Sequence, residues 1–261
     1  MAQLDFRAAI NWAQPWMTSL CGSGEALCGA GIDWRLAVNT IARHCGLATE
    51  SGYLIEFVAQ SALPGQASYE AFIDATGKVP TRDNLHDFLN ALIWLHYPLL
   101  KARLNALQAA DIASTRSPAE MQRLSAPARR SRHRDALTLF DENAVIVATS
   151  DASLCSLLRE HAWSDLFVER RAMLGTCYDV FPFGHALIEK LVAPYKAITA
   201  HAWLILVEPL FFEQSTLDKM RYLDRTIARQ LDSSFSNVAF DPVAGTWCTR
   251  LVACAKCCLL C

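Results

Sequence analysis

Hydrophobic and polar residues separate onto two faces of a helix predicted from about Thr81 to Asn105. At about 100° per residue, the apolar face carries Leu85, Phe88, Leu89, Leu92, Leu95 and Leu99, and the opposite face carries Asp83, His86, Asp87, Asn90, Trp94, Tyr97, Lys101 and Asn105. Solvated helix faces are usually filled with Glu, Lys and Arg, so this stripe predicts the wall of a polar cleft. We expect Thr81 to cap the helix and Pro98 to kink it.

The second half of the chain alternates short β-prone runs with helical periods. The predicted strands are Ala136–Phe140 and Val145–Thr149, joined as a hairpin through Asp141–Ala144, then Leu166–Arg171 and Ile198–Val207. The predicted helices are a short one over Tyr69–Ala75, one capped by Asp151 and running to about His161, then Pro182–Val192 and Ser215–Leu231. This order predicts an α+β fold: a helical N-terminal half packed on a mainly antiparallel sheet of about four strands with flanking helices.

The expected organisation is one α+β domain over residues 1–245. Within it, residues 1–113 are helical, 114–134 form a basic loop and 135–245 contain the sheet, while 246–261 form a Cys-rich tail outside the core. The tail places Cys254-x-x-Cys257 directly against Cys258-x-x-Cys261, without the spacer that lets two knuckles close on zinc. We therefore assign no zinc site to it.

Composition and charge narrow the class of protein. The chain has 261 residues, of which 52% are hydrophobic and 19% charged, as in folded proteins and unlike disordered ones. A net charge of −2 gives no general attraction to nucleic acid or to anionic membranes, and the basic loop lacks interleaved aromatics, so no nucleic-acid partner is expected.

The N-terminus lacks a secretory signal and no apolar window is long enough to span a bilayer. With ten cysteines read as reduced thiols, a cytoplasmic location is expected, and the sequence leaves the oligomeric state open.

The first candidate site lies at the start of the long helix. Asp83, His86, Asp87 and Asn90 follow i, i+3, i+4 and i+7, so they can converge on one divalent metal ion or orient His86 as a base. The alternative is structural, with both acids favouring the positive end of the helix while His86 and Asn90 bond to a neighbouring loop.

The second candidate pairs His185 with Glu189 at i, i+4, which suits metal binding or proton transfer but is also a common surface pair. Arg134 could hold an anionic group, or could form a structural ion pair with Asp135. Asp141 and Glu142 are interpreted as residues of the hairpin turn. Phosphate-binding loops, dinucleotide glycine fingerprints, GxSxG elbows and HExxH are absent from the sequence.

Three segments carry a family resemblance, namely Val79–Leu92, Arg134–Asn143 and Phe183–Lys190. They resemble a proteobacterial family known as domain of unknown function 3025, and the likeness extends from about Ile55 to Phe240. The resemblance implies a bacterial, intracellular protein and no particular reaction. The chain departs from the family pattern over Trp247–Cys261.

Two functions follow as hypotheses. The first is an enzyme, a metal-assisted hydrolase acting on a small anionic or phosphorylated substrate. It assigns catalysis to His86, Asp87, His185 and Glu189, metal binding to Asp83, His86, Asp87 and His185, and substrate binding to Arg82, Asn90, Trp94 and Arg134. The alternative is a non-catalytic binding or scaffold protein in which the same polar network is structural.

Overall fold

The computed structural model describes residues 6–29, 33–65, 67–115, 131–195, 198–234 and 247–253. These residues divide into two compact units. The sheet unit contains the described residues up to Cys28, from Phe140 to Leu223, and 247–253. The helical unit contains those from Gly29 to Leu139 and from Asp224 to residue 234.

The described residues form nine α-helices and six strands. The helices are α1 (Cys21–Gly29), α2 (Trp34–Cys45), α3 (Tyr69–Thr76), α4 (Leu85–His96), α5 (Pro98–Thr115), α6 (Arg132–Asn143), α7 (Ala152–Arg159), α8 (His185–Val192) and α9 (Thr216–Ser234). The strands are β1 (Glu56–Ala59), β2 (Lys78–Thr81), β3 (Ala144–Thr149), β4 (Tyr178–Pro182), β5 (Ile198–Leu206) and β6 (Trp247–Ala253).

In the helical unit, β1 and β2 pair in parallel, with α3 in the connection between them. Helix α3 ends at Gly77, whose φ of 72° is a left-handed conformation that glycine adopts without steric cost. Its carbonyl then accepts a hydrogen bond from the amide of Glu56, so the helix stop also starts the strand pairing. Helix α4 is buried almost throughout, with Phe88, Leu89 and Leu92 at its core.

In the sheet unit, the strand order is β4-β3-β5-β6. All six residues of β3 are buried, as expected for a central strand rich in β-branched residues. Strand β3 is antiparallel to β4 and parallel to β5, and β5 is antiparallel to β6. The core beside β3 is aromatic, because the Phe140 ring lies 5.1 Å from that of Phe183 and 5.3 Å from that of Trp203.

The α+β class is confirmed, but the expected mainly antiparallel sheet is wrong. Among the described strands, two of the four pairings are parallel, β1 with β2 and β3 with β5. Parallel neighbouring strands need a long crossover connection. Helices form part of that connection between β1 and β2 and between β3 and β5. The helical N-terminal half also contains β1 and β2, which the sequence pattern did not predict.

The predicted hairpin is wrong in its first strand. Residues Ala136–Phe140 lie in α6, while Val145–Thr149 lie in β3 as predicted. Ser131 begins this helix by accepting a hydrogen bond from the Arg134 amide at 2.9 Å. The strand predicted over Leu166–Arg171 is also wrong, since its residues form a π turn (Asp165–Glu169) and the start of a 3-10 turn (Arg171–Met173).

The long helix is two helices rather than one kinked helix. Helix α4 ends at His96, and Pro98 starts α5, because proline has no amide to continue the ladder but fits the first turn. The cap is Asn84, whose side chain accepts from the Asp87 amide, and not Thr81, which lies in β2. Because the break interrupts the helical period, the faces predicted for one continuous helix do not hold beyond Pro98. Leu99, which was predicted to pack in the core, is 49% exposed.

Several predictions fall on residues outside the described ranges. Residues 116–130 of the basic loop and 254–261 of the Cys-rich tail are among them. The single-domain organisation stays a prediction. In the described part of the chain, no helix combines the length and apolar character needed to cross a membrane.

Candidate functional site

The sheet unit places an imidazole between two carboxylates. His185 is only 3% exposed and is the first residue of α8. Its Nε2 atom lies 3.4 Å from Oε2 of Glu142, and its Nδ1 atom lies 4.0 Å from Oδ2 of Asp141. Both carboxylates come from the last turn of α6 and keep some solvent exposure, 18% for the Asp141 side chain and 37% for that of Glu142.

The backbone around Gly184 brings the two elements together. The amides of Phe183 and Gly184 both donate to the carbonyl of Ala144, at 3.1 and 2.8 Å. A Cβ at position 184 would lie 2.5 Å from the amide nitrogens of Asn143 and Ala144, closer than real Cβ atoms come. Only glycine therefore allows α8 to start this close to the end of α6.

Asn143 fixes the end of α6 against the sheet. Its Nδ2 donates to the carbonyl of Thr199 in β5 at 3.0 Å, and its Oδ1 accepts from Lys190 Nζ in α8 at 3.5 Å. The carboxylates of Asp141 and Glu142 thus sit on a helix end held by two neighbouring elements, which favours a defined geometry at His185.

The placement of each imidazole nitrogen beside a different carboxylate gives the ring two roles. The nearer carboxylate is that of Glu142, at 3.4 Å from Nε2, whereas 4.0 Å between Nδ1 and Asp141 is beyond hydrogen-bond distance. A proton between the ring and Glu142 is therefore favoured on Nε2. A metal ion could take the place of that proton, with Nε2 and Glu142 as its ligands and Asp141 beside the other ring nitrogen.

Glu189, the predicted partner of His185, is half-buried one turn further along α8. Its part in the site stays a prediction.

In the helical unit, the predicted polar stripe is largely buried and hydrogen-bonded. The Asp83 carboxylate accepts from Trp34 Nε1 at 2.8 Å. The Asp87 carboxylate accepts from the amide of Arg82 at 2.6 Å and from its guanidinium at 2.9 and 3.1 Å. Both acids predicted as metal ligands are thus engaged with neighbouring donors.

Two further residues of the stripe, Asn90 and Trp94, contact Lys101. Its Nζ donates to Asn90 Oδ1 at 2.9 Å and lies 5.5 Å from the centre of the Trp94 ring. Arg134, on α6, pairs with Glu70 of α3 at 3.3 Å. Three predicted substrate-binding residues, Asn90, Trp94 and Arg134, therefore lie in the same unit, as does Arg82.

His86 is half-buried in the first turn of α4. The structure places it in the helical unit and His185 in the sheet unit, and a shared role for the two imidazoles stays a prediction.

Sequence reasoning missed Asp141 and Glu142 as site residues, because it placed them in a hairpin turn. A usable signal was present: Ala136, Leu137 and Phe140, all buried, are spaced as on one helix face. Ser131, just before that period, is a good N-cap residue.

A comparison with known protein families supports the family resemblance of the segments Val79–Leu92, Arg134–Asn143 and Phe183–Lys190. A family described as "Protein of unknown function (DUF3025)" matches residues 55–245. The chain belongs to the DUF3025 family. The family match includes the end of α6, Gly184 and His185, so the candidate site of this DUF3025 protein lies inside the shared region. No curated protein and no solved structure matches the chain significantly.

Proposed function

We propose that this protein is a cytoplasmic metal-assisted hydrolase acting on a small anionic or phosphorylated substrate, with a divalent ion held at His185 and Glu142. The observation that carries the proposal is the 3.4 Å separation of His185 Nε2 and Glu142 Oε2. Two ligands of a tetrahedral zinc ion, each about 2.1 Å from the metal, are about 3.4 Å apart. The two atoms are thus spaced as neighbouring ligands of one ion.

The donor types fit such an ion. One imidazole nitrogen and one carboxylate oxygen suit Zn²⁺ and also Mn²⁺ or Fe²⁺. Asp141, on the Nδ1 side, would act as the carboxylate that orients a metal-binding histidine. A complete site needs further ligands, and the assignment of His86, Asp87 and Glu189 to it comes from the sequence and stays a prediction.

The reaction follows from what a bound ion does to water. A Zn²⁺ ion held by His185 and Glu142 would supply hydroxide near neutral pH, because zinc strongly lowers the pKa of water, and hydroxide is a nucleophile for phosphorus and carbonyl centres. Because Glu142 and Asp141 keep some exposure, water and a small substrate can approach the carboxylate side of His185. The choice of an anionic substrate rests on the sequence-based roles of Arg82 and Arg134.

Metal binding is tested first, without activity. Protein purified without a histidine tag is stripped with a chelator, and Zn²⁺ and Mn²⁺ are titrated by calorimetry. We expect one ion per chain, with affinity at least about tenfold weaker in His185→Ala and Glu142→Gln, since each removes one ligand. Exposed residues provide matched controls: His44→Ala and Glu213→Gln should bind as the wild type does.

A wild type that binds neither ion more tightly than His185→Ala does would overturn the metal site. Catalysis is then tested with p-nitrophenyl phosphate and p-nitrophenyl acetate, with and without the bound ion. Turnover should require the ion and should be lost in both site variants while circular dichroism remains unchanged. Turnover that survives in Glu142→Gln would contradict the assigned role.

A second candidate is a non-catalytic scaffold, favoured by the helical unit. There Asp83, Asp87 and Asn90 bond to Trp34, Arg82 and Lys101, which gives four residues of the polar stripe a structural role without chemistry. This candidate predicts that Asp83→Ala and Asp87→Ala lower the melting temperature without altering metal binding. A loss of metal affinity in either variant, with the fold retained, would count against it.

A further inference from the structure

A run of buried polar residues follows one face of α5 in the helical unit. Lys101, Asn105 and Gln108 occupy successive turns and are each 4–5% exposed. Cores normally place apolar residues at such positions, because a buried amide that lacks a hydrogen bond destabilises the fold. These three buried polar side chains on one helix face therefore need hydrogen-bond partners.

The partners that the helical unit supplies are incomplete. Asn105 Nδ2 is buried and has no hydrogen-bond partner within the described ranges. Gln108 Nε2 reaches its acceptor, Thr138 Oγ1, only at 3.5 Å. Hydrogen bonds between nitrogen and oxygen are centred near 2.9 Å, so this bond is at its outer limit.

The same pattern recurs on the helices around α5. Asn90 Nδ2, on α4, reaches Tyr69 Oη at 3.5 Å. On α6, Arg134 pairs with Glu70 through Nη2, but its Nε is buried and has no hydrogen-bond partner in the part of the chain that the structure describes.

All four of these poorly satisfied groups are donors. Asn105 Nδ2, Gln108 Nε2, Asn90 Nδ2 and Arg134 Nε each offer an N–H, and Lys101 Nζ adds a cation bonded to Asn90. What would complete them is a group with several acceptor oxygens and negative charge, which describes a phosphate or a carboxylate. The Arg134 and Glu70 side chains are partly open to solvent, at 15% and 16% exposure.

We propose that the helical unit binds a small oxyanion, carried by a phosphate or carboxylate group, along the face of α5 formed by Lys101, Asn105 and Gln108. Lys101 supplies the charge, Asn105 and Gln108 donate their amide N–H groups, and Arg134 closes the site from α6. This proposal does not depend on the metal site at His185, because binding here is measured without turnover and without metal.

The test is anion-dependent thermal stability of metal-free protein. Inorganic phosphate and succinate are titrated separately, with sodium chloride at matched ionic strength as the reference. We expect a saturable rise in melting temperature with at least one of them, since a ligand that binds only the folded state stabilises it. A rise with phosphate alone identifies a phosphate site, and one with succinate alone a carboxylate site.

Variants distinguish this site from a purely structural network. Lys101→Met should weaken the apparent anion affinity at least about tenfold by removing the charge, while Lys78→Met, at an exposed lysine of β2, should respond as the wild type does. Asn105→Leu, which keeps the side-chain size, should raise the melting temperature without anion and abolish the response to it. No rise beyond chloride for either anion, or an Asn105→Leu protein that is destabilised and still responds, would overturn the proposal.

Discussion

The Nε2 atom of His185 lies 3.4 Å from Oε2 of Glu142, although the two residues are separated by two strands, a helix and several turns in the sequence. Their approach depends on Gly184, which contacts the backbone of Asn143 and Ala144 where a side chain would not fit. The backbone at this one position thus determines the geometry of the candidate metal site.

Gly184→Ala should separate α8 from α6. The added methyl must displace two amide nitrogens, at a cost of about 1–3 kcal/mol in the free energy of unfolding, and metal affinity should fall with it. Urea denaturation and calorimetry measure the two effects. Gly22→Ala, where a Cβ meets nothing within 4 Å, is the matched control and should leave both unchanged or slightly raise stability. Equal behaviour of the two variants would refute the role of Gly184.

The ion pair between Arg82 and Asp87 should be asymmetric under mutation. The Arg82 side chain is 59% exposed, so Arg82→Ala should cost less than about 1 kcal/mol. Asp87 is buried and also accepts from the Arg82 amide, so Asp87→Ala should cost about 1–3 kcal/mol by leaving that amide unsatisfied. Denaturation curves of both variants measure the two losses in the free energy of unfolding. Equal losses would contradict the expected asymmetry.

Asp224 should make the protein less stable as the pH rises. Its carboxylate accepts from the amides of Leu99 and Leu100 at the start of α5, yet burial outweighs these bonds and raises the pKa of Asp224 to about 6. A raised carboxyl pKa means that the folded state holds the proton more tightly. Its stabilisation is therefore complete below the ordinary pKa of 3.8 and is lost as the pH passes 6, by about 3 kcal/mol.

Asp224→Asn removes this titration. The difference in unfolding free energy between variant and wild type should therefore move in favour of the variant between pH 4 and 7. Urea denaturation at several pH values measures it. A difference that stays constant over this range would show that Asp224 titrates normally.

His96 should make the protein less stable as the pH falls. Burial lowers the pKa of this imidazole from 6.5 to about 4, and its Nε2 has no hydrogen-bond partner among the described residues. Because the unfolded chain takes up the proton first, the stability contributed by His96 is lost as the pH falls from about 6.5 through 4, by about 3 kcal/mol. His96→Gln should therefore lose less stability than the wild type on acidification, whereas His44→Gln, at an exposed histidine, should follow the wild type.

The sequence predicted the elements whose pattern is local. Strands β3 and β5, helices α3, α7 and α9, and the cap at Asp151 follow from β-branched runs, helical periods and capping residues, which act within a few positions. It also predicted His185 as a candidate. It missed that α6 is a helix, because a short run such as Ala136–Phe140 suits either structure and the acidic residues after it are typical of a turn. The signal that favoured the helix, the cap at Ser131 and the spacing of the apolar residues, was weaker than this hairpin pattern.

The sequence by itself determined the α+β class, the positions of most helices and which side chains carry useful chemistry, because these depend on residue type and short-range spacing. Only the tertiary structure decided that β3 pairs in parallel with β5 and that Asp141 and Glu142 flank His185. It also decided that, among the described residues, the side-chain amides of Asn105 and Gln108 are incompletely hydrogen-bonded. Strand pairing and burial are set by contacts between residues far apart in the chain, and a local pattern carries no information about which distant group will fill the space beside it.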